Sequence, residues 1–340
     1  MNRYAALHAD PQGPGDARPT ALQIIQDESL EGKLVGKVII ITGASGGIGA
    51  ETARALFATG ATLFLTGRDT KKAEANLSEI LDSDRVSLME MDTSSFASIR
   101  ATTAKILAKS NNQVNILINN AGIMGIADLE LTEDGYETHF ATNHLGHFLL
   151  FQLLKHALLA SSTPDFHSRV VNVASSTHRT IKNLNESDNY NFEKGGYMHP
   201  LAYANSKLAN VYMANELERR YGSKGLHATS VHPGEIATDL LRNLGGKLVV
   251  DQIMSNKELA KGFKSPAQGA ATTVLAAVGK EWENKGGKYL ESCGEAKRGK
   301  DDGQMMTPGW VSHTYDPPTE ERLWEDSLRM IGYDVAGDSE

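Results

Sequence analysis

The sequence predicts an α/β protein built on one doubly wound parallel sheet of about seven strands, with helices on both faces. Three observations predict it. Short apolar runs rich in β-branched residues recur along the chain, too short for helices and without the alternation of a half-exposed strand. Amphipathic helical segments separate them. The first run ends in a glycine-rich turn that opens a helix. Strand–helix alternation implies right-handed crossovers, hence a sheet covered on both sides. No repeat or linker divides the chain. Residues 36–295 read as one domain, with an arm at 1–35 and an extension at 296–340.

The arm begins "MNRYAALHADPQGPGDARPT", whose Pro, Gly and polar content suggests a mobile or loosely docked segment. "ALQIIQDESLEG" (21–32) reads as a short helix ending at Gly32. "KVIII" (37–41) is the first strand, "TGASGGIGA" the turn, and "ETARALFATG" a helix with Ala53, Leu56 and Phe57 at helical spacing before a capping Gly60. Further strands fall at 61–66, 86–91, 114–118, 170–173, 227–231 and 288–290. Helical segments fall around 70–82, 95–109, 135–160, 205–221 and 266–279, with long loops at 176–202 and 235–265.

Composition narrows the function classes. A formal charge of −8 over 340 residues argues against nucleic acid or an anionic membrane surface as the main partner. Cys293 is the only cysteine, so no internal disulfide forms and a reducing, cytoplasmic setting is expected. No stretch reaches the roughly 18 apolar residues of a membrane span. The nearest, His147 to Ala160, is broken by Gln152, Lys155 and His156. The N-terminus lacks the apolar core of a signal peptide.

In the turn "TGASGGIG", Gly43, Gly47 and Gly49, with Ser45 and Ile48 between them, suit a Rossmann-type dinucleotide site. Glycines let the backbone approach a pyrophosphate, and the helix N-terminus offers unpaired N–H groups. At the end of the second strand, "LFLTGRD" carries Arg68 where an acidic residue would bind an unphosphorylated ribose. Its planar fork suits a 2′-phosphate, so NADP(H) is the expected cofactor; a solvated surface arginine is the plainer reading. Asp69 reads as a helix cap. In "YANSK" (203–207), Tyr203 and Lys207 stack one helical turn apart. Taken alone, that pair reads as a surface tyrosine and a solvated lysine.

The glycine turn, "NNAG" (119–122), "NHLGHF" (143–148), "VVNVASS" (170–176), "YANSK" and "HPGEIATDL" (232–240) occur in an order that resembles the short-chain dehydrogenase/reductase family. The likeness covers residues 36–295 and is strongest to its retinol-dehydrogenase-like and WW-domain-oxidoreductase-like branches. The resemblance implies four catalytic residues: Asn143, Ser175, Tyr203 and Lys207. Tyr203 would exchange a proton with an alcohol or carbonyl oxygen, and the Lys207 ammonium would lower its pKa and bind the nicotinamide ribose. Ser175, rather than Ser176, would hold the substrate oxygen. Asn143 would bend its helix and hold a water. Among cofactor contacts, the resemblance implies Asp92 on the adenine, with a helix cap as its rival role, and Asn120 near the adenosine ribose. Ala121 and Gly122 would form a thin wall, Pro233 and Gly234 a turn under the nicotinamide. Ile236 and Thr238 would meet its carboxamide and phosphate, and Ile48 would offer its backbone N–H.

The expected function is that of an NADP-dependent oxidoreductase interconverting an alcohol and a ketone or aldehyde. Reduction of a bulky lipophilic or polyketide-like carbonyl substrate is favoured, which leaves secondary metabolism open as the setting. Rival readings are a non-catalytic NADP(H) sensor on the same fold, and an epimerising or dehydrating relative. Against the sensor stand the four catalytic side chains; against the relative stands the three-residue gap between the first two glycines. No metal is expected: His144 and His147 belong to "NHLGHF", and Asp301–Asp302 read as a solvated loop. The 28-position interval from Ser175 to Tyr203 is long, and its insertion is expected in the substrate wall. No N-terminal membrane anchor is evident, which speaks against a membrane-bound retinoid role. The aromatic C-terminal stretch reads as a cap on the pocket, a contact to a neighbouring subunit, or a surface helix. Segments 143–160 and 205–221 are compatible with a homodimer or homotetramer.

Overall fold

The computed structural model describes residues 3–335; residues 1–2 of the arm and 336–340 of the extension lie outside the described residues. Among the described residues, eight strands form one sheet: β1 Val38–Thr42, β2 Thr62–Gly67, β3 Val86–Glu90, β4 Ile116–Asn119, β5 Ser168–Val173, β6 Leu226–His232, β7 Lys288–Glu291 and β8 Gly294–Glu295. Their order is β3-β2-β1-β4-β5-β6-β7-β8. β1 to β7 pair in parallel, and β8 is a two-residue antiparallel return at the edge.

Side chains alternate along each strand, so the two faces bury separate cores. Ile39, Ile41, Leu63 and Leu65 meet residues of the helices Ala21–Asp27, Gly47–Phe57 and Ala271–Val278. Ile40, Phe64, Leu117 and Val170 meet those of Phe96–Lys109, Gly146–Ser161 and His199–Tyr221. Burial on both faces explains the uninterrupted apolar runs. Strand order reverses between β1 and β4, and a crevice opens at their carboxyl ends.

Several helix bounds differ from expectation. The segment 135–160 divides into Thr138–Phe140, a π-turn at Ala141–Leu145 and the helix Gly146–Ser161. The helix expected at 205–221 starts at His199, with Pro200 in its first turn, where a missing N–H costs nothing. The loop 235–265 holds three short helices: Asp239–Leu244, Lys247–Ser255 and Lys257–Gly262. Gly245 and Gly246, both at positive φ, and the capping Asn256 interrupt them. Each piece is too short to carry a legible period.

The arm is docked, not loose. Arg18, 5% exposed, donates to Asp16 (2.8 Å) and to the carbonyls of Gly13, Lys261, Gly262 and Phe263 at 3.1, 3.4, 3.0 and 2.5 Å. Gln268 adds bonds to Asp16 and to the Arg18 carbonyl, and Tyr4 is buried with its hydroxyl on Asp27. Burial alone would raise the Asp16 carboxyl; hydrogen bonds from Arg18 and from the N–H groups of Gln12 and Arg18 outweigh it and hold the group well below the usual carboxylate range. A carboxyl depressed on folding contributes stability above its unfolded pKa and loses it as pH falls through the folded value. Arg18→Ala is therefore expected to lower the unfolding free energy by about 3–5 kcal/mol at pH 7. The gap to the parent should narrow as pH drops below about 4. Chemical denaturation across pH checks both; equal stability at pH 7 refutes the docking.

The extension also packs. Trp324, on the helix Pro317–Met330, stands edge-on to Phe148 and Phe151 with centroids 4.8 and 6.1 Å apart. That helix lies along His199–Tyr221, so it completes a core within the chain and covers part of a helix read as compatible with subunit pairing. Asp301 and Asp302 are not simply solvated: Asp302 pairs with the buried Arg179 at 3.0 Å, and Asp301 accepts from Ser312 N–H at 2.8 Å. Arg179 also donates to the carbonyls of Lys300, Gln304 and Gly309, clasping the loop that carries Met305 and Met306.

Candidate active site

A cavity of about 720 Å³ runs from the glycine turn to Tyr203 along the carboxyl ends of the strands. All the predicted site residues except Asn143 line it. At its floor, Gly43 has φ +67°, and a Cβ there would stand 2.7 Å from Ala121 Cα. A Cβ on Gly49 would overlap the Gly43 carbonyl oxygen and lie 2.6 Å from Asn120 Nδ2. Gly47, at φ +54°, faces the Thr238 methyl. The helix beginning at Gly47 has no side-chain cap from Gly46, so its first N–H groups remain available to an anion. This backbone cradle fits the pyrophosphate of a dinucleotide.

Asn120 is spent partly on the cradle: Nδ2 donates to the Thr42 and Gly43 carbonyls at 2.8 and 3.2 Å. Thr42 Oγ1 accepts from the N–H groups of Asn120 and Ala121, both at 2.9 Å, and meets His147 Nε2 at 2.8 Å. Because His147 Nδ1 faces the Asn143 carbonyl (2.9 Å), Nδ1 carries the proton and Nε2 accepts from Thr42. Burial pushes His147 down to about 4, which keeps the ring neutral. His144 bonds Ser327 at 2.8 Å. Both histidines are thus absorbed by the fold.

Asp69 caps its helix through Lys72 N–H at 2.9 Å, as expected. Asp92 holds Ser94 through one oxygen and faces Arg68 Nη1 at 3.9 Å with the other; the helix Phe96–Lys109 is capped by Ser95 instead, and the fork of Arg68 stays two-thirds exposed at the rim. Lys72 sits beside Gly46 and pairs with Asp239 across the mouth. Sequence reading passed over Lys72, since only tertiary contact separates it from the neighbouring solvated lysine.

Tyr203 is 5% exposed and Lys207 3%. Ser175, two residues beyond β5, lies beside the Tyr203 hydroxyl and bonds Thr177 (2.8 Å). Ser176 opens the short turn that follows, and its N–H donates to His232 Nδ1 (3.2 Å). The His139 ring stands edge-on to Tyr203, centroids 6.4 Å apart. Asn143 sits in the π-turn, so the expected local bend is present. Its carboxamide accepts from Ile123 N–H (2.8 Å) and donates to the Ile123 carbonyl and Ser206 Oγ (3.0 and 2.9 Å). A Cβ on Gly122 would stand 3.3 Å from Asn143 Oδ1 and 3.5 Å from Lys207 Nζ, so Gly122 keeps those two groups close.

One electrostatic expectation needs correction. Burial raises the Tyr203 hydroxyl above its ordinary value; Ser175 pulls it back, and the Glu235 carboxylate raises it further. Lys207 does not offset this. Its Nζ donates to the Val173 carbonyl (3.0 Å), stands 5.7 Å from the Tyr203 ring centroid, and is itself pushed down to about 8 by desolvation. Among the protein's own groups, desolvation outweighs the cation.

Across the site, Gly234 adopts φ +102° with Lys264 packed beneath it, and Lys264 Nζ donates to the Pro233 carbonyl at 3.0 Å. Ile236 packs toward Ile48 and Gly269, and Thr238 caps Asp239–Leu244 against the glycine turn. Leu240, Leu241, Val249, Ile253, Phe263 and Met305 close the remaining wall. The insertion after Ser175 contributes Thr177, His199 and Pro200 at the rim. Glu235 also lines the cavity, and sequence reading passed over it; its signal was a carboxylate set inside the Pro-Gly turn "HPGEI".

The short-chain dehydrogenase family model matches residues 37–248. The chain is 48% identical over 329 residues to short-chain dehydrogenase/reductase prx1 of Penicillium rubens, covering 97% of this chain and 95% of that one. It is 43% identical to oxidoreductase calI of Penicillium decumbens, covering 98% of each. To mouse retinol dehydrogenase 12 it is 37% identical over 88% of each. Among solved structures, an uncharacterized protein from Mycobacterium paratuberculosis superposes with TM-score 0.64 at 29% identity, over 88% of this chain and 95% of that one. The Pseudomonas aeruginosa RhlG/NADP complex shares the fold at TM-score 0.59 and 22% identity, over 76% and 95%.

Proposed function

Since the chain belongs to the short-chain dehydrogenase/reductase family, in its retinol-dehydrogenase-like branch, and is an oxidoreductase acting on CH–OH groups, we propose that it uses NADPH to reduce a bulky lipophilic ketone or aldehyde. The observation that carries this reading is one cavity uniting the glycine cradle, Arg68 at one end and Ser175, Tyr203 and Lys207 at the other. Gly43, Ser45, Gly47, Ile48 and Gly49 would hold the pyrophosphate, and Arg68 a 2′-phosphate. Asp92 and Asn120 would border the adenosine. Pro233, Gly234, Ile236 and Thr238 would border the nicotinamide half, which Lys207 would also bind. When bound, the reduced cofactor supplies the hydride for the carbonyl carbon.

Ser175 would orient the substrate oxygen and Tyr203 would donate its proton, a role that suits a phenol held protonated by burial. Asn143 fixes the wall beside Lys207. The apolar residues of the 240–263 segment would exclude water and select bulk. Among the described residues no helix is long and apolar enough to cross a membrane.

The test is a panel of cyclic and aliphatic ketones with purified protein, following consumption of NADPH or NADH. Turnover with NADPH is expected, with kcat/KM well above that with NADH. Arg68→Ala is expected to cut the NADPH preference by about 10–100-fold, the worth of a charge-assisted contact. Equal use of both cofactors by the parent refutes the NADP assignment; binding without turnover of any carbonyl favours a sensor.

A further inference from the structure

Glu235 is an acid in an otherwise mostly apolar substrate wall. It lines the same cavity as Tyr203 and Ser175, and its side chain is only 27% exposed. Its protein partners leave it underused. Ser176 N–H donates to His232 Nδ1 at 3.2 Å, so the neutral ring carries its proton on Nε2, which points to Glu235 Oε1 across 3.9 Å. That is too long for a full hydrogen bond. The Ser176 hydroxyl lies beside the carboxylate. Lys264, the nearby cation, has its Nζ on the Pro233 carbonyl. A carboxylate has about four acceptor sites, so this half-buried one keeps capacity for a donor supplied from the cavity.

We propose that Glu235 accepts a hydrogen bond from a hydroxyl carried by the substrate near its reacting carbonyl, so that the preferred substrate is a hydroxylated lipophilic ketone or aldehyde. This rests on the carbonyl-reductase reading above. An ammonium donor is disfavoured, because Lys264 already sets a cation near the carboxylate. The other carboxylates lining the cavity are engaged, Asp239 with Lys72 and Asp92 with Ser94 and Arg68, while Thr177 and His199 stand at the rim.

The experiment compares 2-decalone with monohydroxy-2-decalones bearing the hydroxyl one to three carbons from the carbonyl. The parent protein, Glu235→Gln and Glu235→Leu are assayed with NADPH, and the readout is the ratio of kcat/KM for hydroxylated over plain ketone. At least one isomer should be preferred by about 10–100-fold in the parent. The ratio should approach one in Glu235→Leu and fall between in Glu235→Gln. A general loss of folding lowers both rates and leaves the ratio alone. A parent ratio near one for every isomer, or a preference undiminished in Glu235→Leu, overturns the proposal. Calorimetric binding of decalin diols and decalinols to the protein with NADP⁺ separates the two readings. Diol preference that needs Glu235, without turnover of any ketone, supports this role and sinks the reductase; turnover without preference does the reverse.

Discussion

Tyr203→Phe is expected to bind NADPH as the parent does and to lose kcat by about 10²–10⁴-fold, the usual worth of a positioned acid. That equals about 3–5 kcal/mol of transition-state stabilisation. Phenylalanine keeps the ring in its place beside His139 and removes only the hydroxyl that Ser175 reaches. Thermal stability should therefore change little. Fluorescence titration with NADPH and initial rates on an active ketone provide the check. Turnover within tenfold of the parent would move the acid elsewhere.

Gly49→Ala should fail for a different reason. The added methyl would collide with the Gly43 carbonyl and crowd Asn120 Nδ2, and these are the backbone and brace of the cradle itself. Overpacking of this kind costs about 1–3 kcal/mol, felt in folding and in the geometry of the turn together. Cofactor affinity is expected to fall roughly 10–100-fold, with a lowered melting temperature. Gly46→Ala is the matched control. Its φ of 178° is open to any residue, and its nearest neighbours are the ends of Lys72 and Asn76 side chains at 3.5 Å. A smaller loss is expected there, and equal losses would discredit the steric argument.

The inner strands β1, β2 and β4 were legible because they are buried on both faces, which writes them as apolar runs, whereas the two-residue edge strand β8 left no such mark. The glycine turn and Tyr203–Lys207 were legible because local spacing fixes what they can do. What stayed hidden depends on contacts between distant residues. Arg18 looked like part of a polar arm because its acceptors stand near position 262. The helices of the 239–262 wall are each under three turns, too short to show a period. The burial of the Tyr203 hydroxyl also stayed hidden, because spacing reveals a neighbouring cation but not how dry the hydroxyl is. Glu235 escaped notice since nothing in "HPGEI" tells which way its carboxylate turns.

The clasp between Arg18 and the Phe263 carbonyl has a consequence for biosynthesis. It closes a span of 245 residues, and the entropy cost of such closure, though it grows slowly with length, must be met before the contact returns anything. Even the nucleotide-binding half completes its core only when the helix Ala271–Val278 arrives to pack on the helix Gly47–Phe57. The substrate wall has to wait for the last third of the polypeptide to find an N-terminus made long before. Fusion partners placed ahead of residue 3 would therefore burden that late closure.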